Sequence, residues 1–373
     1  MRVRLAAVII LLSATAGAVE FAGRARAAVG AGVDTNAPRD FVSPDAGVIP
    51  PDGVIQGIAN LAGSVQGERG GVSAAYDVGV RKFVLLPHED TIIQSLQLDA
   101  TLWLPAGFAL GVSGHLRDRR GADRDYSDLA AELSLQYLPD TALDFRIWGA
   151  VHRFIFWPEF RSSFYAPEAG LTARYRFNKR HSVTLTGNVS FRTFNANAFV
   201  KQVMPGPGVV DSDLDGIPDD EDACPTQPGV GNGCPEVRHD FFAFVSIAYW
   251  YRGPVVFSLS YGYLDSSSNS YGETIRQHRV GLVFGAPLFW QLKLFVDINL
   301  RFAIYPDGLF VSPEILTLDE NGENLTSAVV KLVRPIGEHF ELEARYGLYY
   351  GVLPMNEFVY WRHAATLGAA VHF

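Results

Sequence analysis

From about residue 70 onward, apolar side chains recur at every second position. Leu96, Leu98, Ala100, Leu102 and Leu104 alternate with polar Gln97, Asp99 and Thr101. Leu129, Ala131, Leu133, Leu135 and Tyr137 alternate with Glu132, Ser134 and Gln136. Val183 to Phe191 and Leu292 to Leu300 follow the same rule. Such a segment is a strand with one apolar and one polar face. After the first 20 or so residues, no uncharged apolar run approaches the roughly 18–20 residues a membrane-spanning helix needs. The apolar faces must therefore form the core of a soluble β-sandwich or face lipid around a closed barrel.

The connections favour the barrel. Short turns fall at Pro105-Ala106, Pro139-Asp140, Asn178-Lys179-Arg180, Arg252-Gly253-Pro254, Ala286-Pro287 and Pro335-Ile336-Gly337. Longer polar connections lie at about 85–91, 118–126, 156–166, 196–239, 265–273, 305–323 and 353–360. They alternate, and together join about fourteen strands, with short turns at one end and long loops at the other. Tyr137, Tyr175, Phe177, Tyr249, Tyr251 and Trp290 sit by the short turns. Phe154, Phe156, Trp157, Tyr261, Tyr263, Tyr349 and Tyr350 sit toward the long loops. Two such groups read as interfacial aromatic girdles.

The amino terminus reads as a secretory signal. Met1-Arg2-Val3-Arg4 is basic and Leu5 to Leu12 is apolar. Two small-x-small cleavage sites follow, Ala16-Gly17-Ala18 and Ala25-Arg26-Ala27, of which the second is preferred, so residues 1–27 are set aside as the signal. Residues 28–70 begin with Pro38, Pro44, Pro50 and Pro51, and then place Val54, Ile55, Ile58, Leu61, Ala62 and Val65 at helical spacing. This segment reads as a short helix plugging the barrel from the periplasm, or as a disordered linker. The barrel is expected over 71–373.

The chain ends Ala365-Thr366-Leu367-Gly368-Ala369-Ala370-Val371-His372-Phe373. An alternating strand closing on Phe resembles the terminal strand of Gram-negative outer-membrane β-barrel proteins, where it is the insertion signal. The resemblance implies an all-β fold, an antiparallel up-and-down transmembrane barrel with both termini in the periplasm. It also implies outer-membrane lipid and lipopolysaccharide as surroundings, and periplasmic chaperones and the barrel-assembly machinery as partners in biogenesis.

The connection at 204–236 carries a separate motif. Residues 211–236 hold eight acidic side chains and no Lys or Arg. Cys224 and Cys234 are the two cysteines, and in an exported chain they are expected to pair. The run Asp211-Ser212-Asp213-Leu214-Asp215-Gly216-Ile217-Pro218-Asp219-Asp220-Glu221-Asp222 resembles the thrombospondin type 3 repeat. Acidic groups stand at positions 1, 3, 5, 9 and 12, with Gly at 6. The resemblance implies one structural Ca²⁺ held by Asp211, Asp213, Asp215, Asp219, Asp222 and the Ile217 carbonyl. Calcium takes six to eight oxygens, and carboxylates two residues apart on a turning loop converge on one point. Such a loop could also present a site to a surface partner.

Polar parity directs Asp77, Arg81, Asp99, Arg117, Glu132, Asp144, Arg146, Arg174, Arg176, Arg192, Lys293, Asp297, Arg301, Glu341, Glu343 and Arg345 inward. These charges line a water-filled path, or they pair across the lumen and close it. The formal charge of −9 excludes the basic face of a nucleic-acid binder. Gly-x-Ser-x-Gly, His-Glu-x-x-His and Gly-rich phosphate-loop motifs are absent. The leading expectation is a porin-like channel for passive passage of a small solute, without catalytic residues or an organic cofactor. The alternatives are a structural or adhesive surface barrel with a closed lumen, and a barrel-embedded hydrolase using inward His115 and His152.

Overall fold

A computed structural model describes residues 20–37, 49–121, 125–139, 142–207, 209–307, 326–352 and 359–373 of the 373-residue chain. Strands β1 to β16 run Glu20–Asp34, Asp52–Gly67, Gly70–Phe83, Thr91–Trp103, Phe108–Arg120, Tyr126–Tyr137, Leu143–Phe156, Phe164–Arg176, His181–Asn197, Val237–Arg252, Val256–Ser268, Ile275–Pro287, Lys293–Ile304, Thr326–Ile336, Phe340–Val352 and Val359–His372. Each pairs antiparallel with its chain neighbours, and β1 pairs with β16 to close the barrel. The closing register runs from Arg26 opposite His372 to Asp34 opposite Ala364. It is extended by Ala25 N donating to Phe373 O at 3.0 Å and Phe373 N donating to Ala25 O at 2.9 Å. Every strand thus has two neighbours, as hydrocarbon requires.

The barrel has sixteen strands, not about fourteen. The seven expected long connections and the six expected short turns fall between described strands or at their ends. Of the two extra strands, β2 comes from the segment expected as a helix, plug or linker, and β1 spans the boundary between that segment and the expected signal. Within β2, Ile55, Leu61 and Val65 share one face with Gly57, Ala59 and Gly63, while Val54, Ile58 and Ala62 share the other with Gln56 and Asn60. Apolar residues on both faces, diluted by small ones, imitate helical spacing. Strand β1 is equally small in composition, EFAGRARAAVGAGVD, and has little contrast between its faces. The proline-rich stretch at 38–48 lies outside the described residues.

Of the signal expected at 1–27, residues 1–19 lie outside the described residues. Glu20 to Ala27, expected within the signal, pair with Gln66 to Ala59 of β2. Cleavage after Ala27 would remove half of β1, whereas the Ala18 site leaves it whole.

The exterior is apolar. Leu98, Val112, Leu133, Ile147, Leu171, Val189, Val245 and Leu259 are all exposed, each on the face opposite the polar residues of its strand. Such an exterior matches lipid rather than water. The short-turn girdle is as expected, with ring pairs Phe108–Tyr137 at 4.8 Å and Tyr175–Phe177 at 5.0 Å. The girdle at the other end is smaller than expected. Trp157 and Tyr261 are exposed and Tyr350 packs on Trp361 at 4.5 Å, but Phe154, Phe156 and Tyr349 are buried inside the barrel. Their parity follows His152 and Gly347, which face the lumen. No helix among the described residues is long and apolar enough to cross a membrane.

Candidate functional site: the lumen and the acidic loop

Sequence alternation places the charges on the inner wall, and register decides what they meet. In the half nearer the short turns, Arg26 of β1 pairs with Glu341 of β15 at 3.0 Å and with Glu343. Lys331 of β14 pairs with the same Glu343 at 2.7 Å, and His372 lies 3.1 Å from Glu341. Across the barrel, Arg176 pairs with Asp144 at 2.7 Å and Arg146 with Glu132. Asp99 accepts from Gln97 at 3.0 Å and Asp77 from Asn60. Every described ion pair joins groups on the same strand or turn, on adjacent strands, or on strands one apart. The pairs run along the wall and do not bridge it. A lumenal cavity of about 370 Å³ remains, lined by Arg26, Gln56, Asp297, Lys331, Glu343 and Arg345.

The half nearer the long loops is built differently. His152 is held between Asp128 and Glu168, the latter at 3.6 Å. No Ser, Thr or Cys meets it in the described hydrogen bonds. His115 and His152 both stand opposite Ala130 in register, on β5 and β7, so they are separated by a whole strand. A buried cluster of Tyr126, Phe154, Phe156, Phe164 and Phe194 coats this wall. Arginine planes lie against such rings: Arg192 over Phe164 at 5.1 Å and Phe242 at 4.6 Å, Arg238 over Phe194 at 4.0 Å, and Arg279 over Phe244 at 5.6 Å. Arg238 also pairs with Asp240 at 2.8 Å and Glu273 at 3.1 Å. At the closing seam, Arg362 of β16 grips Asp34 of β1 through contacts of 2.6 and 3.0 Å. Sequence reasoning missed Arg26, Asp34, Arg238, Arg279 and Arg362. Their parity with neighbouring small or apolar residues was the one available signal.

The acidic loop joins β9 to β10. It brings Asp211, Asp213 and Asp215 together, with one carboxylate oxygen of each within 4.8 Å of the others. The turn is tight, with positive φ at Leu214 (63°) and Gly216 (93°). Asp211 accepts from Leu214 N at 2.8 Å and Gly216 N at 3.0 Å, and Asp215 accepts from Ile217 N at 2.9 Å. Asp219 is turned to Ser212, accepting from its amide and hydroxyl at 2.7 Å each. Asp222 accepts from Cys224 N at 2.7 Å, and Cys224 is bonded to Cys234 as expected. Two buried carboxylate oxygens, Asp213 Oδ2 and Asp222 Oδ2, have no hydrogen-bond partner. Burial, with the nearby charges of Asp215, Asp222 and Asp211, raises the Asp213 carboxyl above its ordinary value. Unpartnered, mutually repelling carboxylates on a glycine-hinged turn fit a hard cation such as calcium.

No protein-family model matches the chain, and no curated protein matches it in sequence. Among solved structures it is similar to the outer membrane protein OpdK from Pseudomonas aeruginosa (TM-score 0.44, 9% identity, 95% of this chain and 99% of that one). It is also similar to Acinetobacter baumannii OccAB3 (0.44, 8%, 94% and 99%). A third is OmpT, an outer membrane protein of Vibrio cholerae, in its trimer form (0.41, 11%, 96% and 100%). Closure, an apolar exterior and a charged interior define a transmembrane β-barrel. The protein resides in the bacterial outer membrane.

Proposed function

We propose that the barrel is a passive channel for a small polar solute, with one external loop stabilised by calcium and no catalytic role. The observation that carries this reading is the direction of the ion pairs. Charges that closed the lumen would reach across it; those described run along its wall. Strand number adds support, because sixteen-stranded barrels are wide enough to hold an aqueous path. Asp211, Asp213 and Asp215 would hold the ion, with Asp219, Asp222 and the Ile217 carbonyl completing the shell. The cation would neutralise the carboxylates and order the loop. The disulfide would fix the loop's exit beside it.

The buried aromatic wall on β6 to β9 favours a second reading, in which that half is filled and the protein is a surface scaffold presenting its loop to a partner. Liposome swelling separates the two. A channel admits glucose into protein-loaded vesicles and excludes a large oligosaccharide. A scaffold leaves both outside.

A further inference from the structure

The geometry points to a lipopolysaccharide-binding site on the outer wall of the barrel, where Arg153 and Arg161 hold a phosphate of the glycolipid headgroup. The inference is independent of whether the lumen conducts. Arg153 lies on β7 opposite Leu129 of β6 and Tyr165 of β8. Leu129 and Tyr165 are exposed on the lipid-facing side, as is Val151, which shares the parity of Arg153. The Arg153 guanidinium is therefore directed at the membrane and not at the lumen. It stands at the level of Tyr165 and close below Trp157, the exposed aromatics of the long-loop end.

Other outward cations at this end are neutralised by a neighbouring carboxylate. Arg120, opposite exposed Ile92, pairs with Asp118 at 2.8 Å. Lys82, opposite exposed Ile55, lies 3.8 Å from Asp90. Arg276, opposite exposed Ile304, lies 3.7 Å from Asp265. Arg153 has no such partner among the described residues; its guanidinium carbon lies 5.9 Å from the centre of the Phe160 ring. Arg161 follows Phe160 on the helical turn Phe160–Ser162 and is exposed. Glu159, the carboxylate of this connection, pairs with neither arginine. The turn is anchored: Phe156 N donates to Ser163 Oγ at 2.9 Å, and Asn195 Nδ2 donates to Phe160 O at 3.3 Å.

A guanidinium on a lipid-facing wall needs an anion at headgroup level, because hydrocarbon does not solvate its charge. Its stem lies along the apolar wall while its head reaches the interface. Phosphate suits it, since the planar fork binds two phosphate oxygens at once. The Tyr165 hydroxyl, beside Arg153 in register, has no described partner and can donate to the same headgroup. Toward the membrane interior the wall continues with exposed Leu133, Ile147 and Leu171, an apolar surface against which acyl chains lie. The long loops face outward, so the leaflet met here is the outer one, whose lipid is a phosphorylated glycolipid. Phosphate above and acyl chains below is the order this surface offers; free phosphate would use the arginines alone.

The test is native mass spectrometry of the full chain in detergent, titrated with lipid A and, separately, with dephosphorylated lipid A. Wild-type protein binds lipid A about tenfold tighter or more, as the charge-assisted hydrogen bonds to phosphate require. Arg153→Gln with Arg161→Gln removes that difference, whereas Arg153→Lys keeps most of it. If the double variant fails to fold, Arg161→Gln alone, on an exposed turn, carries the comparison and must shrink the difference. Equal wild-type affinity for the two lipids overturns the inference, as does an unchanged difference in the Gln variants. Equimolar inorganic phosphate leaves lipid A bound; displacement of lipid A by it overturns the glycolipid as the occupant.

Discussion

The seam between β1 and β16 depends on one buried ion pair, and removing half of it should loosen the barrel. Asp34 is 1% exposed and Arg362 5%. Arg362 Nε reaches both carboxylate oxygens at 3.0 Å, its Nη2 reaches Oδ2 at 2.6 Å, and Asn36 N adds a bond of 3.1 Å. Arg362→Met leaves the carboxylate buried without its cation, which costs about 3–5 kcal/mol. At a urea slope of about 3 kcal/mol/M, the unfolding midpoint falls by about 1–1.7 M. Replacing both partners by apolar residues, Asp34→Leu with Arg362→Met, removes the stranded charge and recovers most of the loss. The assay is urea unfolding of the refolded protein, read by the mobility difference between folded and boiled samples on gels. A single variant within about 1 kcal/mol of wild type, or a double variant as unstable as the single, refutes the reasoning.

The mature protein should begin at Val19, by mass spectrometry of the outer-membrane form; a start at Ala28 would contradict the assignment of β1. Asp213→Ala with Asp215→Ala should abolish calcium heat in titration calorimetry while the folded gel band persists. Because the Asp213 carboxyl sits above its ordinary value, protons compete with the cation sooner on acidification. Calcium affinity should therefore fall as the pH is lowered toward the ordinary carboxylate range, with less fall in Asp213→Asn. Cys224→Ser with Cys234→Ser should speed proteolysis of the loop and leave the barrel intact, since no strand depends on that bond. Gly32→Val should prevent seam closure, because a Cβ there would lie 1.8 Å from the Ala365 carbonyl oxygen; a heat-modifiable Gly32→Val protein would contradict the register.

The strands from β3 onward were legible because apolar side chains alternate with charged and hydroxyl residues, giving each face a distinct character. Strands β1 and β2 were not, because glycine and alanine occupy both of their faces and the contrast vanishes. The same weakness hid Arg26 and Asp34, inward members of a strand that did not read as one. Phe154 and Phe156 misled in the opposite sense. Aromatics near a strand end suit a girdle, and only counting parity from His152 turns them inward. The Asp34–Arg362 pair could not be read at all, since the partners are 328 residues apart and meet only when the barrel closes. The acidic loop was legible as a motif, and the structure brings Asp211, Asp213 and Asp215 together while leaving Asp219 on Ser212.

Single-channel recording of the refolded full chain in a planar bilayer tests the central claim most directly. An open lumen gives discrete, ohmic conductance steps in 1 M KCl, persisting when calcium is chelated, because the conducting wall belongs to the barrel and not to the loop. A correctly folded, heat-modifiable protein that inserts and stays silent at every voltage would contradict it.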